Sequence, residues 1–394
     1  MMQEKEWKAL SDRYIAGTYA RADALFVRGQ GSLLYDMEGK RYIDLCSGIG
    51  VNIFGAADPV WVRAVTEQAA LLQHVSNLYY TEPQTLLARA LCQKTGMDRV
   101  FFCNSGAEAN ECAIKTARKY ASDRYGPERN VIITLKNSFH GRTVTTISAT
   151  GQEVFHKDFG PFTGGFVYVE PGDQGELRRL AEEYPVCAIM AEMVLGEGGV
   201  QALPQSFVDE MMKLAREKDI LIIDDEVQTG NGRTGRYFCC ENYGLKPDII
   251  STAKGLGGGL PIGATLFGEK TKDVLTPGTH GSTFGGNPVC AAGALSIVER
   301  VDEALLAGVE ERGRYLRQEL EGAPGVLSVS GMGLMAGIET KGPAPEIVKA
   351  CLGRGVVLLT AKEKLRLLPP LNIPMELLKE ATAILKEEIA RASS

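Results

Sequence analysis

The chain has 394 residues, of which 44% are hydrophobic and 23% are charged, and its formal net charge at pH 7 is −6. These values are ordinary for a globular protein and supply enough apolar residues for one large domain and a smaller one. The acidic balance argues against nucleic acid or an anionic membrane surface as a partner, and no apolar run approaches the roughly 18 residues of a membrane-spanning helix.

Cysteine and histidine usage argues against a disulfide framework and against a metal site. The nine cysteines are scattered without a CxxC pair, which indicates buried thiols in a reducing compartment. The four histidines form no close ligand pattern with them, so no metal is expected. The first residues, MMQEKEWKAL, lack the apolar core of a signal peptide, and we therefore expect a cytoplasmic protein.

The N-terminal segment, residues 1–54, predicts an arm followed by a hairpin. Residues 1–20 are typical of a short polar helix or arm, and residues 31–48 contain two short apolar runs joined by Asp-Met-Glu-Gly. From Pro59 onward, apolar residues recur at helical spacing, which predicts a helix that begins at this proline.

Between residues 99 and 251, strand-like apolar runs alternate with helical ones; the runs are RVFFC, NVIITL, GFVYV, CAIMAEMV, DILIIDD and PDIIS. Such unbroken strands predict an α/β domain with a mostly parallel sheet covered by helices on both faces. After about residue 290, helical runs mix with short strand-like pieces, and the run Met375–Arg391 predicts a terminal amphipathic helix. We expect a large domain over residues 55–290 and a smaller α+β domain from residues 1–54 and 291–394.

Polar residues follow several predicted strands, and ligands of open parallel sheets bind beyond the carboxyl ends of the strands. After RVFFC, Ser105 and Gly106 open a helix whose free N–H groups favour a phosphate, although an ordinary helix cap explains them better on its own. After NVIITL come Phe139, which can cover a planar ligand, His140, which is as easily structural, and Arg142, which can clamp a carboxylate.

Acidic residues follow the next two strands. Glu192 ends an apolar run and Glu197 lies in a glycine loop, and carboxylates at these places either bind a cation or pair with an arginine. For Glu197, a solvated loop glutamate is the alternative. Asp224, Asp225 and Glu226 follow another apolar run, where buried acids are costly unless paired. One of these three is therefore expected to face a cationic group, and a magnesium site is the less favoured interpretation.

Lys254 ends the run DIIS and is followed by Gly255, Gly257, Gly258 and Gly259. Such a lysine is either solvated in a flexible turn or held against a ligand, where it can act as an amine nucleophile. A phosphate cradle, a ring cover, a buried carboxylate and a lysine together match pyridoxal 5′-phosphate, which needs all four groups.

The whole chain resembles the class III, fold-type I pyridoxal-phosphate aminotransferases. The motifs that carry the resemblance stand in family order and are NSGAEANE, SFHGRT, DDEVQTGNGRTG, STAKGLGGGLPIGA and HGSTFGGNP. Within this class, the stretches GIGVN, SFHGRTVTTISATGQ and VVLLTAKEKLRLLPPLNI are similar to the acetylornithine aminotransferases and their ornithine and succinylornithine relatives. Two segments depart from the family, Glu192-Met-Val-Leu-Gly-Glu197 in place of Glu-Pro-x-Gln-Gly-Glu and GAADP in place of Gly-His-x-His-Pro.

The resemblance implies a role for each matching residue. The cofactor-binding residues would be Ser105, Gly106 and Ala107 for the phosphate, Phe139 for the ring face, Asp225 for the ring nitrogen, Gln228 for the phenolic oxygen, Lys254 for the covalent link, and Thr283 for the phosphate held by a neighbouring subunit. Lys254 and Asp225 would be catalytic, with Lys254 shuttling a proton, and Thr283 implies a homodimer with shared active sites. The substrate-binding residues would be Arg142 for the carboxylate remote from the reacting carbon, Arg366 for the α-carboxylate of glutamate or 2-oxoglutarate, and Glu197 to neutralise Arg366 when an ω-amino donor is bound.

The resemblance implies a transaminase that moves the terminal amino group of N-acetylornithine, or a related ω-amino donor, to 2-oxoglutarate, giving a semialdehyde and glutamate. Ornithine, succinylornithine and 4-aminobutyrate are alternative donors. An aminomutase of the same fold is disfavoured because Arg366 suits an external keto acid, and a non-catalytic homologue is disfavoured because Lys254 and Asp225 are retained.

Overall fold

The computed structural model describes residues 2–393. Their helices are α1 (Glu4–Tyr14), α2 (Ser47–Gly50), α3 (Pro59–Leu71), α4 (Glu82–Thr95), α5 (Gly106–Tyr125), α6 (Val144–Ala149), α7 (Gln174–Glu183), α8 (Gln205–Lys218), α9 (Pro288–Val298), α10 (Glu303–Leu320), α11 (Ala344–Gly353) and α12 (Met375–Ala392). None of these helices is long and apolar enough to cross a bilayer.

The strands formed by the same residues are β1 (Phe26–Gln30), β2 (Leu33–Asp36), β3 (Arg41–Asp44), β4 (Arg99–Cys103), β5 (Val131–Leu135), β6 (Phe166–Val169), β7 (Val186–Ala191), β8 (Val194–Leu195), β9 (Gln201–Ala202), β10 (Leu221–Asp225), β11 (Ile249–Thr252), β12 (Gly263–Phe267), β13 (Val326–Met332), β14 (Met335–Thr340), β15 (Val356–Val357), β16 (Leu359–Ala361) and β17 (Lys364–Leu367). The predicted hairpin is confirmed, since β2 pairs antiparallel with β3.

A seven-stranded sheet forms the centre of the fold, in the order β4-β12-β11-β10-β7-β5-β6. The strands β11, β10, β7, β5 and β6 are parallel, which confirms the predicted α/β class. The strand β12 was not predicted, and it lies antiparallel between β11 and β4. Its five residues, GATLF, follow the glycine-rich loop after Lys254, and the glycines of that loop favoured a turn over a strand.

Helices cover both faces of this sheet, as expected. Alternate residues of β10 belong to different apolar clusters, with Ile223 packed among residues of α5 and Ile222 among residues of α8. This double coverage explains why every residue of β7 and β10 is buried.

The N-terminal and C-terminal segments meet in a second sheet, in the order β1-β2-β3-β15, where Ile43 pairs with Val356. A third sheet has the order β13-β14-β17-β16 and brings Arg366 beside Gly337. These pairings are compatible with a small domain from residues 1–54 and 291–394, and the proposed boundaries remain a prediction.

Local chemistry accounts for the start of α3 and for the conformation of α2. The helix α3 begins at Pro59 as predicted, and the Asp58 carboxylate accepts a hydrogen bond from the Trp61 N–H at 2.9 Å. The short segment α2 is a left-handed turn, because Ser47, Gly48, Ile49 and Gly50 all have positive φ angles. A β-branched residue such as Ile49 rarely adopts this conformation.

Candidate active site

A cavity of about 490 Å³ opens at the carboxyl edge of the central sheet, because β4, β5, β7, β10 and β11 end there in the same direction. The predicted site residues that line it are Ser105, Gly106, Ala107, Phe139, Arg142, Asp225, Gln228 and Lys254. Lining residues that sequence reasoning did not single out include Val51, Asn110 and Val227. Asn110 is a polar residue buried on the helix that follows Ser105, and a buried polar side chain is the feature that distinguishes it.

The N-terminus of α5 forms one end of the cavity. The Ser105 side chain caps this helix by accepting a hydrogen bond from the Glu108 N–H at 3.2 Å. The N–H groups of Gly106 and Ala107 have no partner among the described residues. A Cβ atom on Gly106 would lie 2.7 Å from Val227, so glycine is needed at this position. The cap therefore does not exclude a phosphate at this helix end, since a capped helix still presents its first N–H groups.

Lys254 follows β11 with a left-handed φ of 42°. The next turn needs glycine, because a Cβ on Gly257 would lie 2.1 Å from the Leu260 carbonyl oxygen. Within residues 2–393 the Lys254 amine has no hydrogen-bond or ion-pair partner. Burial lowers its pKa from the usual value, and this effect exceeds the opposing attraction of nearby carboxylates, foremost Glu197 and then Asp225.

Asp225 ends β10 and is 2% exposed. Its Oδ2 atom lies 2.7 Å from His140 Nδ1 and accepts a hydrogen bond from Asn110 Nδ2 at 2.7 Å. Its Oδ1 atom accepts from the Val227 N–H at 3.1 Å. The partner of this carboxylate within the described chain is an imidazole ring, and no lysine or arginine of residues 2–393 pairs with it.

The two acids beside Asp225 face away from this arrangement and form a separate buried cluster with Cys240. Ligand atoms of Asp224, Glu226 and Cys240 lie within 4.8 Å of one another. Glu226 accepts hydrogen bonds from Thr229 Oγ1 at 2.5 Å and from the Cys240 N–H at 2.9 Å, whereas neither oxygen of Asp224 has a hydrogen-bond partner in the described chain. Burial raises the pKa of Asp224 well above its usual value and that of Glu226 to about 7.

Glu192 holds two backbone segments that border the cavity. Its Oε1 accepts a hydrogen bond from the Phe139 N–H at 2.8 Å, and its Oε2 accepts one from the Gly196 N–H at 3.1 Å. Burial, reinforced by the charge of Asp225, raises the pKa of Glu192 to about 7. The expectation of an arginine partner is wrong, because two backbone amides donate to this carboxylate and no arginine of residues 2–393 pairs with it.

Arg366 and Glu197 form an ion pair in which Arg366 Nη1 donates to Glu197 Oε1 at 2.5 Å. The same nitrogen donates to Gln228 Oε1 at 3.2 Å. Because Gln228 lines the cavity, the pair lies at its border. The structure therefore brings the predicted substrate residues Glu197 and Arg366 together.

Phe139 and Arg142 lie on one wall of the cavity. The Phe139 ring makes an edge contact with Phe155, with ring centroids 5.5 Å apart, and the Arg142 guanidinium carbon lies 4.1 Å from the Phe155 centroid. Arg142 is exposed and has no ion-pair partner among residues 2–393. It is therefore free to bind an incoming carboxylate.

Thr283 is the one predicted cofactor residue that does not line this cavity in the described chain. It is exposed on a loop where the side chain of the next residue, Phe284, is 60% exposed. Its assignment to the site of a neighbouring subunit remains a prediction.

Comparison with known proteins identifies relatives over the full length of the chain. The family model described as "Aminotransferase class-III" matches residues 14–389. The acetylornithine aminotransferase of Haemophilus ducreyi is 48% identical over 391 residues, which cover 99% of this chain and 100% of that protein.

Two solved structures extend the comparison. An ornithine aminotransferase from Toxoplasma gondii, with partial occupancy of PLP at its active site, matches with a TM-score of 0.94 and 31% identity over 99% of this chain and 95% of that one. The N-acetylornithine aminotransferase of Stenotrophomonas maltophilia matches with a TM-score of 0.84 and 35% identity, covering 97% of this chain and 98% of that one.

Proposed function

Since this chain belongs to the class-III aminotransferase family, we propose that it transfers the terminal amino group of N-acetylornithine to 2-oxoglutarate with pyridoxal 5′-phosphate as its cofactor. The products are a semialdehyde and glutamate. The ion pair between Glu197 and Arg366 at the border of the Lys254 cavity is the observation that carries this proposal.

The residues around the cavity fit this cofactor. The free N–H groups of Gly106 and Ala107 suit a phosphate, and the tight contact of Gly106 with Val227 leaves no room for a Cβ in this cradle. Asp225 suits a protonated ring nitrogen, and the unpartnered Lys254 amine suits an aldehyde. The residues that would hold the cofactor are Ser105, Gly106, Ala107, Phe139, Asp225, Gln228 and Lys254, with Thr283 from a second subunit. When bound, it supplies a ring that accepts electron density from the carbon losing its proton.

Lys254 would move the proton. Its lowered pKa leaves more of the amine neutral at pH 7 than in a solvated lysine, and a neutral amine accepts a proton from carbon. The absence of a protein hydrogen bond to its Nζ leaves this atom free to reorient between the two carbons involved. Asp225, held by His140 and Asn110, would keep the cofactor ring oriented toward that proton transfer.

Glu197 and Arg366 would let one pocket accept two unlike substrates. An ω-amino donor presents its terminal amine with no carboxylate beside it, so Arg366 keeps Glu197 as its partner. Glutamate and 2-oxoglutarate carry a carboxylate next to the reacting carbon, which replaces Glu197 on Arg366. The exchange avoids an unpaired buried arginine, which is strongly destabilising.

Arg142 would bind the carboxylate at the far end of the donor, because it is exposed to the cavity and free of ion pairs. N-acetylornithine is favoured as donor by the 48% identity to an acetylornithine aminotransferase. Ornithine is the second candidate, since an ornithine aminotransferase shares the fold at a TM-score of 0.94.

We place the active enzyme in a homodimer. Leu78 and Tyr80 expose 88% and 101% of their surface, and Asn77 of the same segment donates to the Ser282 carbonyl oxygen at 3.0 Å, next to Thr283. Neighbouring exposed apolar side chains beside a predicted cofactor residue support a subunit contact there. The mass of the protein in solution, measured by light scattering, tests this assignment.

We also place the enzyme in the cytoplasm. All nine cysteines are unpaired, and seven of them are buried, which suits a reducing compartment. Fractionation of cells that produce the protein tests this assignment.

A donor panel tests the proposed reaction. Purified enzyme loaded with pyridoxal phosphate is assayed with N-acetylornithine, ornithine, N-succinylornithine and 4-aminobutyrate, each with 2-oxoglutarate, and the donors are ranked by kcat/KM. We expect N-acetylornithine to rank first. Turnover without added 2-oxoglutarate would indicate an aminomutase instead, and no turnover with any donor would contradict the assigned reaction.

A further inference from the structure

Asn110 lies at the centre of a buried polar chain below the cavity. It is 1% exposed and lies on α5, just after the phosphate cradle. Its Nδ2 donates to Asp225 Oδ2 at 2.7 Å and to the His140 carbonyl oxygen at 2.8 Å. Its Oδ1 accepts from the Ser251 hydroxyl at 2.5 Å. One amide therefore links α5, β11, the loop after β5 and the end of β10.

The Asp225 carboxylate and the His140 carbonyl group determine which way the Asn110 amide points, because both can only accept a hydrogen bond. Both hydrogens of Asn110 Nδ2 are used, one by Asp225 and one by the His140 carbonyl oxygen. A reversed amide would place Oδ1 against these two acceptors, so both hydrogen bonds would be lost, whereas the Ser251 hydroxyl can accept from Nδ2 as well as donate to Oδ1. The amide orientation is therefore defined by the network itself.

The orientation of the Asn110 amide determines how the two oxygens of the Asp225 carboxylate are occupied. The Oδ2 atom receives Asn110 and faces His140 Nδ1, while Oδ1 receives only the Val227 N–H at the longer distance of 3.1 Å. Two close contacts on Oδ2 prevent rotation of the carboxylate about its last bond. The less occupied oxygen, Oδ1, therefore retains acceptor capacity for a group in the cavity.

We propose that Asn110 is a positioning residue of the active site, whose amide, anchored to β11 by the Ser251 hydroxyl, holds Asp225 Oδ2 and so presents the Asp225 carboxylate to the ring of the cofactor. This inference deepens the proposed function and rests on it, because it gives the partner of the cofactor ring its own support. His140 shares the task by contacting the same oxygen, and Asn110 adds the link to α5, which carries the phosphate cradle. One helix thus orients both the phosphate end and the ring-nitrogen end of the cofactor.

The test uses the full-length protein, stripped of cofactor and titrated with pyridoxal phosphate. Asn110→Leu removes the amide at similar volume, and we expect its dissociation constant for pyridoxal phosphate to rise about 10- to 100-fold, the range for losing a hydrogen bond to a charged group. Thr116→Val is the matched control, because Thr116 is a fully buried polar residue of the same helix that bonds only within it. We expect less than about a twofold change in this control.

An NMR measurement distinguishes a role of Asn110 in positioning Asp225 from a role in the stability of the fold alone. The protein has four histidines, so 15N-histidine labelling of the cofactor-free protein yields few ring signals, and His140→Gln assigns the one from His140. Removing Asn110 leaves His140 as the main donor to Oδ2, and its Nδ1 proton is expected to shift downfield. The control variant is expected to leave this signal in place.

Ser251→Ala serves as the second variant should Asn110→Leu fail to fold. It keeps the Asn110 amide but removes the hydroxyl that anchors its Oδ1 atom, and we expect a rise of about 3- to 10-fold in the dissociation constant. Unchanged affinity and an unchanged His140 signal in the variants that fold would overturn the role of Asn110 while the wild type still transaminates. A wild-type protein that did not bind pyridoxal phosphate would overturn the proposed function, and this inference with it.

Discussion

Arg366 and Glu197 are paired across 2.5 Å but differ in burial, since the Arg366 side chain is 4% exposed and that of Glu197 is 30% exposed. Arg366 is also bonded to Gln228 and lies in β17, whereas Glu197 lies in a loop. The arginine is therefore the fixed member of the pair and the glutamate is the member that can leave. This asymmetry is what an exchange of anionic partners on one arginine requires.

Replacing Arg366 tests the exchange from the arginine side. Arg366→Ala removes the partner for an α-carboxylate, so the half-reaction with glutamate is expected to slow about 100-fold or more in kcat/KM, while the half-reaction with N-acetylornithine loses about tenfold. Single-turnover absorbance measurements of each half-reaction give both values. Arg142→Ala is the matched control and is expected to slow both half-reactions to a similar degree, because each substrate carries a carboxylate remote from its reacting carbon. Equal losses in both half-reactions of Arg366→Ala would contradict the exchange.

Glu197→Gln tests the exchange of carboxylates on Arg366 from the glutamate side. Glutamine keeps the shape of the side chain but leaves the buried Arg366 charge uncompensated, so carboxylates are expected to occupy Arg366 whichever substrate is offered. We expect kcat/KM for N-acetylornithine to fall about tenfold and KM for 2-oxoglutarate to stay the same or decrease. Steady-state kinetics with both substrates varied provides the measurement. A parallel loss for both substrates would show that Glu197 acts on the loop structure and not on the charge of Arg366.

Lys254→Ala removes the only group assigned to proton transfer. Turnover is expected to fall by about 10³-fold or more, while the N-terminus of α5 and Asp225 still hold the cofactor, with a weaker but measurable dissociation constant. Assay of turnover together with a pyridoxal phosphate titration separates the two effects. Lys254→Arg keeps a cation in place and is expected to be equally inactive, because an arginine does not release its proton at neutral pH. Undiminished activity in Lys254→Ala would contradict the assigned chemistry.

The buried pair of Asp224 and Glu226 predicts a pH dependence of stability. Burial raises the pKa of Glu226 from 4.5 to about 7 and raises that of Asp224 as well. The folded state therefore binds more protons than the unfolded state, so this stabilisation is complete below the unfolded pKa and is lost as the pH rises through the folded pKa. Above pH 7 the folded state carries buried negative charge at this cluster, and the free energy of unfolding decreases accordingly.

Asp224→Asn removes the acid without a hydrogen-bond partner and is expected to be about 1–3 kcal/mol more stable than the wild type at pH 8, with a smaller gain at pH 5. Urea unfolding at the two pH values measures the difference. The exposed Asp209 of α8 provides the control substitution Asp209→Asn, which is expected to show little change. A gain for Asp224→Asn that is as large at pH 5 as at pH 8 would contradict the pKa assignment.

Much of the site could be inferred before the fold was known. Ser105, Phe139, Asp225 and Lys254 each follow an apolar strand, and parallel strands bring their carboxyl ends to one edge. Their convergence on one cavity follows from chain order alone. The same reasoning did not find β12, because its five residues lie beside a glycine loop and carry no alternation that separates a strand from a turn.

The amino-acid sequence by itself determined the fold class, the family and the set of groups that suit pyridoxal phosphate, because these depend on residue types and on the order of strands. Only the tertiary structure decided how those groups are partnered. Arg366 meets Glu197 across 169 positions of the chain, and Asn110 meets Asp225 across 115. Glu192 binds two backbone amides, and Asp224 turns away from its neighbour Asp225 into a separate cluster. Such partners depend on the face of a strand and on the packing of distant segments, which local spacing does not encode.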